Sequence, residues 1–256
     1  MEKVRLLERF EGIAEIEICR PEKHNAIDFD VMEKMEYILN ELALKKDLKA
    51  IVIRGNGPKT FCSGGDLSAF HSLRTKEDAY RMLSRMGNIL YELAVFPFPV
   101  FALINGTAVG GGAELAAAAD IRIARKGSKI GFIQGTLAIT TGWGGGSLLF
   151  DRIRHDQAMV MLASSRIFAA EEAYRTGFVT DVLDDAEFEE EGLRYISELL
   201  KPNPDVLKAY KAMKTEQLKA AGLQGKMNKE SMRCAELWEK DAHLLAADSF
   251  LANRKG

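Results

Sequence analysis

The sequence predicts an α/β fold that ends in a helical tail, and three observations predict it. Short β-type runs alternate with segments of helical apolar spacing as far as residue 183, glycine-rich loops join them, and residues 187 to 252 read as helix almost throughout. The chain has 256 residues, 47% of them hydrophobic, enough for one large core or a core with an appendage. Its 35 basic and 37 acidic residues are interspersed and leave a net charge of −2. No basic stripe marks a nucleic-acid or membrane surface, so a small-molecule partner is expected. Cys19, Cys62 and Cys234 are too few and too scattered for a disulfide framework or a metal site, and imply a reducing compartment. No metal is expected. The first ten residues carry charge where a signal peptide needs its apolar run, and no later run approaches ~18 apolar residues. The expectation is a soluble cytoplasmic protein.

In order, Val4 to Phe10 and Ile13 to Cys19 form an antiparallel hairpin turned at Glu11-Gly12. Arg20-Pro-Glu-Lys-His-Asn-Ala-Ile breaks the strand, and Phe29 to Leu44 has helical spacing with Lys45 and Lys46 at its end. Ala50 to Arg54 is a buried-type strand closed by Gly55-Asn-Gly-Pro. Residues 77 to 95 form a long amphipathic helix, stopped by Phe96-Pro-Phe-Pro because proline removes an amide and keeps its predecessor extended. Strands follow at Val100 to Asn105, Ile121 to Ala124 and Lys129 to Ile133, then a structured loop over Gly135 to Gly146. Helices are expected near 147–153, 156–163 and 170–176, and a strand at Val179 to Leu183. Lys201-Pro-Asn-Pro is a credible joint, so the chain divides into a mixed core over 1–200 and a helical region over 201–256.

Chemistry concentrates where the strand ending at Asn105 runs into Gly110-Gly-Gly-Ala-Glu-Leu. Glycines let the backbone turn sharply and let a ligand approach the amides. The helix that follows leaves its first N–H groups unpaired and adds partial positive charge. Glu114 falls one turn beyond Gly111 on the same side, which puts a donor and a proton-transfer group together. The same residues also fit a plain strand-to-helix joint with a carboxylate favoured by the dipole. Phe61-Cys-Ser-Gly-Gly-Asp-Leu is a second such loop, in which Asp66 reads as a helix cap.

These two loops, together with Arg20-Pro-Glu-Lys-His-Asn-Ala, Ala119-Asp-Ile-Arg-Ile-Ala and the ending Phe250-Leu-Ala-Asn-Arg-Lys, resemble the crotonase (enoyl-CoA hydratase/isomerase) superfamily over essentially the whole chain. The resemblance implies a crotonase-like spiral of ββα units with a C-terminal helical domain that serves oligomerisation. It further implies a homotrimer or dimer of trimers and an acyl-CoA substrate, with no cofactor beyond the coenzyme A that the substrate carries. Carried over by position, the amides of Ser63 and Gly111 form an oxyanion hole for a thioester enolate, and Glu114 is the family's first catalytic glutamate. Substrate contacts fall at Lys23, His24, Ala26, Cys62, Ser63, Asp66, Leu67, Gly110, Trp143, Phe250 and Lys255. For Lys23, a solvated loop charge is the plain alternative.

The family's second glutamate is absent, because Gln134 stands at its position. An amide hydrogen-bonds but supplies no proton, which weighs against ordinary enoyl-CoA hydration. Trp143-Gly-Gly resembles the ethylmalonyl-CoA decarboxylase branch, where decarboxylation gives the same enolate and one acid suffices. Hydration, alkylmalonyl-CoA decarboxylation and a non-catalytic acyl-CoA-binding scaffold therefore stay open. A serine-hydrolase role for Ser63 lacks a nearby histidine.

Overall fold

A computed structural model describes residues 2–10, 12–184 and 187–253. The elements run β1 (Val4–Phe10), β2 (Ile13–Ile18), α1 (Phe29–Ala43), β3 (Ala50–Gly55), β4 (Thr60–Cys62), α2 (Leu67–Phe70), α3 (Lys76–Ala94), β5 (Val100–Ile104), β6 (Thr107–Val109), α4 (Gly111–Ala118), β7 (Ile121–Arg125) and β8 (Lys129–Gly131). Then come α5 (Gly145–Arg152), α6 (His155–Ala163), β9 (Phe168–Ala169), α7 (Ala170–Arg175), β10 (Asp181–Leu183), α8 (Phe188–Leu199), α9 (Pro204–Ala220), α10 (Leu223–Trp238) and α11 (Asp241–Asn253).

Two sheets form, in the orders β1-β2-β3-β5-β7-β10 and β4-β6-β8-β9. Successive strands alternate between them: β3, β5 and β7 pair in parallel in the first sheet, and β4, β6 and β8 in the second. Each turn of chain thus lays one strand in each sheet, and the turns through β4 and β6 run on into helix. This is the predicted spiral of ββα units. The small side chains of Ala113 and Ala116 to Ala119 are fully buried, which lets α4 sit in the middle of the molecule.

The helices begin where side chains satisfy their free amides. Asp28 accepts from Val31 N–H and Thr75 from Asp78 N–H, opening α1 and α3. Strand β2 differs from a one-sided hairpin strand, since Glu15 and Glu17 are as buried as its apolar residues. Their charges are met by Arg54, at 2.8 Å from each, and by Arg9 and Arg5. The far face of the first sheet is covered by α8, through Phe188, Leu193 and Ile196 packed on Val52, Phe101 and Leu103. Residues beyond 201 join the main core through Leu218, Leu223, Met227, Cys234 and Trp238.

Candidate active site

The Arg20–Asp28 segment is a bracket. Arg20 is buried and its guanidinium reaches Asp66 (2.8 Å), Asp28 (3.2 Å) and the Ala26 carbonyl (2.6 Å). The Asn25 side chain donates to the carbonyls of Asn56 and Thr60. His24 and Asn25 both take left-handed backbone angles, φ 53° each, which these contacts hold in place. The bracket fixes the loop after β4. Ile27 N–H donates to Gly64 C=O and Asp66 N–H donates to Ile27 C=O, both at 2.8 Å. The intervening Gly65 N–H therefore points the other way, and no acceptor meets it among the described residues.

This corrects the expectation for Ser63. Its N–H donates to the His24 carbonyl at 3.1 Å, so it is already satisfied by the protein, and the free amide of the loop belongs to Gly65. Sequence position alone does not separate the two, because the direction of each N–H is set by the long-range pairing with Ile27.

The second free amide is that of Gly111, the first residue of α4, whose N–H likewise meets no described acceptor. Gly110 makes the turn in a conformation closed to other residues, φ 56° and ψ −126°. The Trp143 indole, only 4% exposed, lies against both glycines. A β-carbon on Gly111 would come within 2.1 Å of Cζ3 of the ring, and one on Gly65 within 3.5 Å of Cζ2. Two amides and an aromatic floor thus border a cleft of about 830 Å³, mouth included, which Glu114, Gln134, Leu67, Phe70 and Phe250 also line.

Glu114 is 2% exposed and its carboxylate is crowded with donors. Oε2 accepts from the Trp143 and Gly145 amides, both at 2.9 Å, and Oε1 from Gln134 Nε2 at 2.8 Å. Gly145 is the first residue of α5, a helix whose cap, Gly144, offers no side chain. The next amides, Gly146 and Ser147, donate to Glu230 at 3.0 and 2.7 Å, and Ser147 Oγ adds a third bond at 2.6 Å. One helix start is thus capped by two carboxylates from elsewhere, Glu114 on α4 and Glu230 on α10. The glycines at 145 and 146 are what admits them, since a β-carbon at 145 would lie 2.3 Å from Glu114 Cγ. Burial raises the Glu114 carboxyl above its ordinary value and the Glu230 charge adds to that, to about 8, against the opposing pull of the amides and Gln134.

Glu230 was not singled out from the sequence. The available signal was its place on the core-facing stripe of α10. Met227 packs on Gly144, Ser231 Oγ donates to the Gly142 carbonyl (2.7 Å) and Cys234 Sγ to the Thr140 carbonyl (3.2 Å). A carboxylate at helical spacing within that buried stripe needs donors.

Glu114, Gln134, Gly110, Gly111, Ser63, Leu67, Trp143 and Phe250 come together around the cleft. Lys23 and His24 are exposed, and neither they nor Ala26 line it. Asp66 faces Arg20 and caps α2 through Ser68 N–H, which agrees with its reading as a cap. Cys62 is fully buried, with its thiol pushed up to about 12 by burial. Lys255 lies outside the described residues. Among the described residues no three metal-ligating side chains gather, and no helix is long and apolar enough to cross a membrane.

The fold and the cleft can be set beside known proteins. The chain is 32% identical to the short-chain-enoyl-CoA hydratase of Clostridium acetobutylicum, over 71% of this chain and 69% of that protein. It is 34% identical to the ethylmalonyl-CoA decarboxylase of Xenopus tropicalis, over 78% of this chain and 67% of that one. In fold it matches the crystal structure of an enoyl-CoA hydratase from Bacillus halodurans with a TM-score of 0.87 at 21% identity, covering 96% of this chain and 99% of that one. The enoyl-CoA hydratase/isomerase profile matches residues 8–255. With both glycine loops, α4 and the last helices inside that match, the chain belongs to the enoyl-CoA hydratase/isomerase family.

Proposed function

We propose that this acyl-CoA enzyme decarboxylates a 2-carboxyacyl-CoA of the alkylmalonyl type, holding the enolate between the Gly65 and Gly111 amides and protonating it from Glu114. The observation that carries the reading is the Glu114–Gln134 pair: a buried carboxyl raised to about 8 beside a neutral amide. Near pH 7 the raised carboxyl is mostly protonated. It therefore neither repels a substrate carboxylate nor needs a second acid. The similarity to ethylmalonyl-CoA decarboxylases supports the same choice.

In the proposed reaction the bond from the α-carbon to the carboxylate breaks and CO₂ leaves. Its electron pair passes through the α-carbon to the thioester oxygen, which the two amides stabilise without reorganising. The Glu114 proton then moves to the α-carbon, and the resulting carboxylate takes a proton back from water. Hydration is the second reading, favoured by Gln134 Oε1, a buried acceptor without a partner that would hold an attacking water by one hydrogen. No cofactor enters either course beyond the substrate's own coenzyme A. A trimer, or a dimer of trimers, remains part of the proposal, with residues 201–256 as its oligomerisation region. Support for association through that region lies in its exposed apolar side chains Val206, Tyr210, Met213 and Leu245.

The two readings have opposite pH dependence. If Glu114 acts as the acid, decarboxylation falls as pH rises through about 8. If it acts as the base, hydration rises over the same interval. Mass analysis of a panel of alkylmalonyl-, enoyl- and hydroxyacyl-CoA thioesters from pH 6 to 9.5 decides between them; tight binding with no product would leave a scaffold. Gln134→Glu is the second test. It should slow decarboxylation at least ~10-fold, the effect of ~1.4 kcal/mol of added repulsion, and raise hydration of a short enoyl-CoA above the wild-type rate. Typical hydratase turnover in the wild type, with kcat on the order of 10 s⁻¹, would reject the decarboxylase reading.

A further inference from the structure

Glu230 has no part in the reaction just described, yet it is buried, lies outside the cleft lining and sits on the same helix start as Glu114. The amides are divided in sequence order. Gly142, Trp143 and Gly145 serve Glu114, while Gly146 and Ser147 serve Glu230. Two carboxylates so close to one another do not both ionise readily, and the better-solvated one keeps the charge. Glu230 is the nearer of the two to solvent, 9% exposed against 2% for Glu114, and it takes two amides and the Ser147 hydroxyl, all within 3.0 Å. Glu114 Oε1 accepts from the Gln134 side-chain amide at 2.8 Å and, at 3.4 Å, from the Gly142 amide.

We propose that Glu230 is a positioning residue that takes the α5 N-terminus as the anion and thereby keeps the proton on Glu114. Of the groups facing Glu114, α10 supplies Glu230 and the Cys234 thiol, which burial keeps protonated. The 134–145 stretch presents amides and the Gln134 side chain. No lysine or arginine is ion-paired to either carboxylate among the described residues. A neutral Glu230 would leave the helix dipole to Glu114 alone, which would then ionise at lower pH.

The inference rests on Glu114 being the proton carrier of the proposed reaction, but it is tested without any substrate. Full-length protein with ¹³C-labelled glutamate is titrated by NMR, and Glu114→Gln identifies the Glu114 carboxyl signal. Wild type should show a midpoint near 8. Glu230→Gln should lower it by about 1 unit or more. Glu230→Asp, which keeps the charge, should hold it near the wild-type value. If the glutamine variant does not fold, Glu230→Met removes the same charge. An ordinary carboxylate midpoint in wild type, or an unchanged one once the charge is gone, overturns the inference. Loss of the proposed activity in Glu230→Gln with an unmoved Glu114 midpoint would also overturn it. Full turnover in Glu114→Gln would instead sink the reading of the reaction and leave the titration result standing.

Discussion

Glu114→Gln should lower turnover by ~10²–10⁴, the range for a general acid–base group, while coenzyme A binding and the fold stay near wild type. The fold is expected to survive because the hydrogen bonds can be remade. A glutamine oxygen still accepts from the Trp143 and Gly145 amides, and Gln134 can rotate its amide to offer the new NH₂ group an oxygen. The variant should also change how stability depends on pH. The folded chain holds a proton on Glu114 from the ordinary 4.5 up to about 8, where the unfolded chain has released it. Wild-type stability should therefore fall as pH rises through that window, and that slope should be absent from the glutamine variant. Single-turnover rates and thermal melts across pH measure both effects. Undiminished turnover would remove Glu114 from the mechanism.

Gly111→Ala is the other large effect, and it acts through Trp143. The added methyl would lie 2.1 to 2.7 Å from three atoms of the indole ring, so the ring or the start of α4 must move. Either movement displaces the Gly111 amide relative to Gly65. Losing one such donor costs ~10²–10³ in kcat, and overpacking a buried site costs about 1–3 kcal/mol of stability. Adding Trp143→Leu should restore part of the stability, because the clash is with the ring, whereas activity should stay low for want of the cleft floor. A double-mutant cycle in melting temperature reads the coupling. If Gly111→Ala melts and turns over like wild type, the ring does not define the position of that amide.

Much of the fold was legible because it is local. Helices α1 and α3 show their apolar period and carry caps at Asp28 and Thr75, and the proline at 204 opens α9 where a joint was expected. The three-residue strands β4 and β6 were not read, since so short a run carries no period and exists only through its parallel neighbours. The cleft divides in the same way. Gly111 and Glu114 are one helical turn apart, so one helix start delivers both. The choice between Ser63 and Gly65, and the arrival of Glu230 from α10, depend on contacts between segments far apart in the chain.

The shared cap on α5 also says where this protein can change and where it cannot. Replacing Glu114 or Glu230 disturbs a helix start as well as a proton, and a β-carbon at 145 would lie 2.3 Å from Glu114 Cγ and one at 146 2.7 Å from Thr141 Oγ1. Gln134 contributes no cap. Its side chain touches the helix start only by way of Glu114, and one of its two polar atoms is still without a partner. In laboratory evolution, a saturation library at 134 should therefore retain folded members with altered product spectra, while libraries at 145 and 146 should thin out and those at 114 and 230 should keep mainly variants whose side-chain oxygen still accepts from the α5 amides. A descendant of this enzyme that acquires a new reaction would be expected to carry its first substitution at that one position.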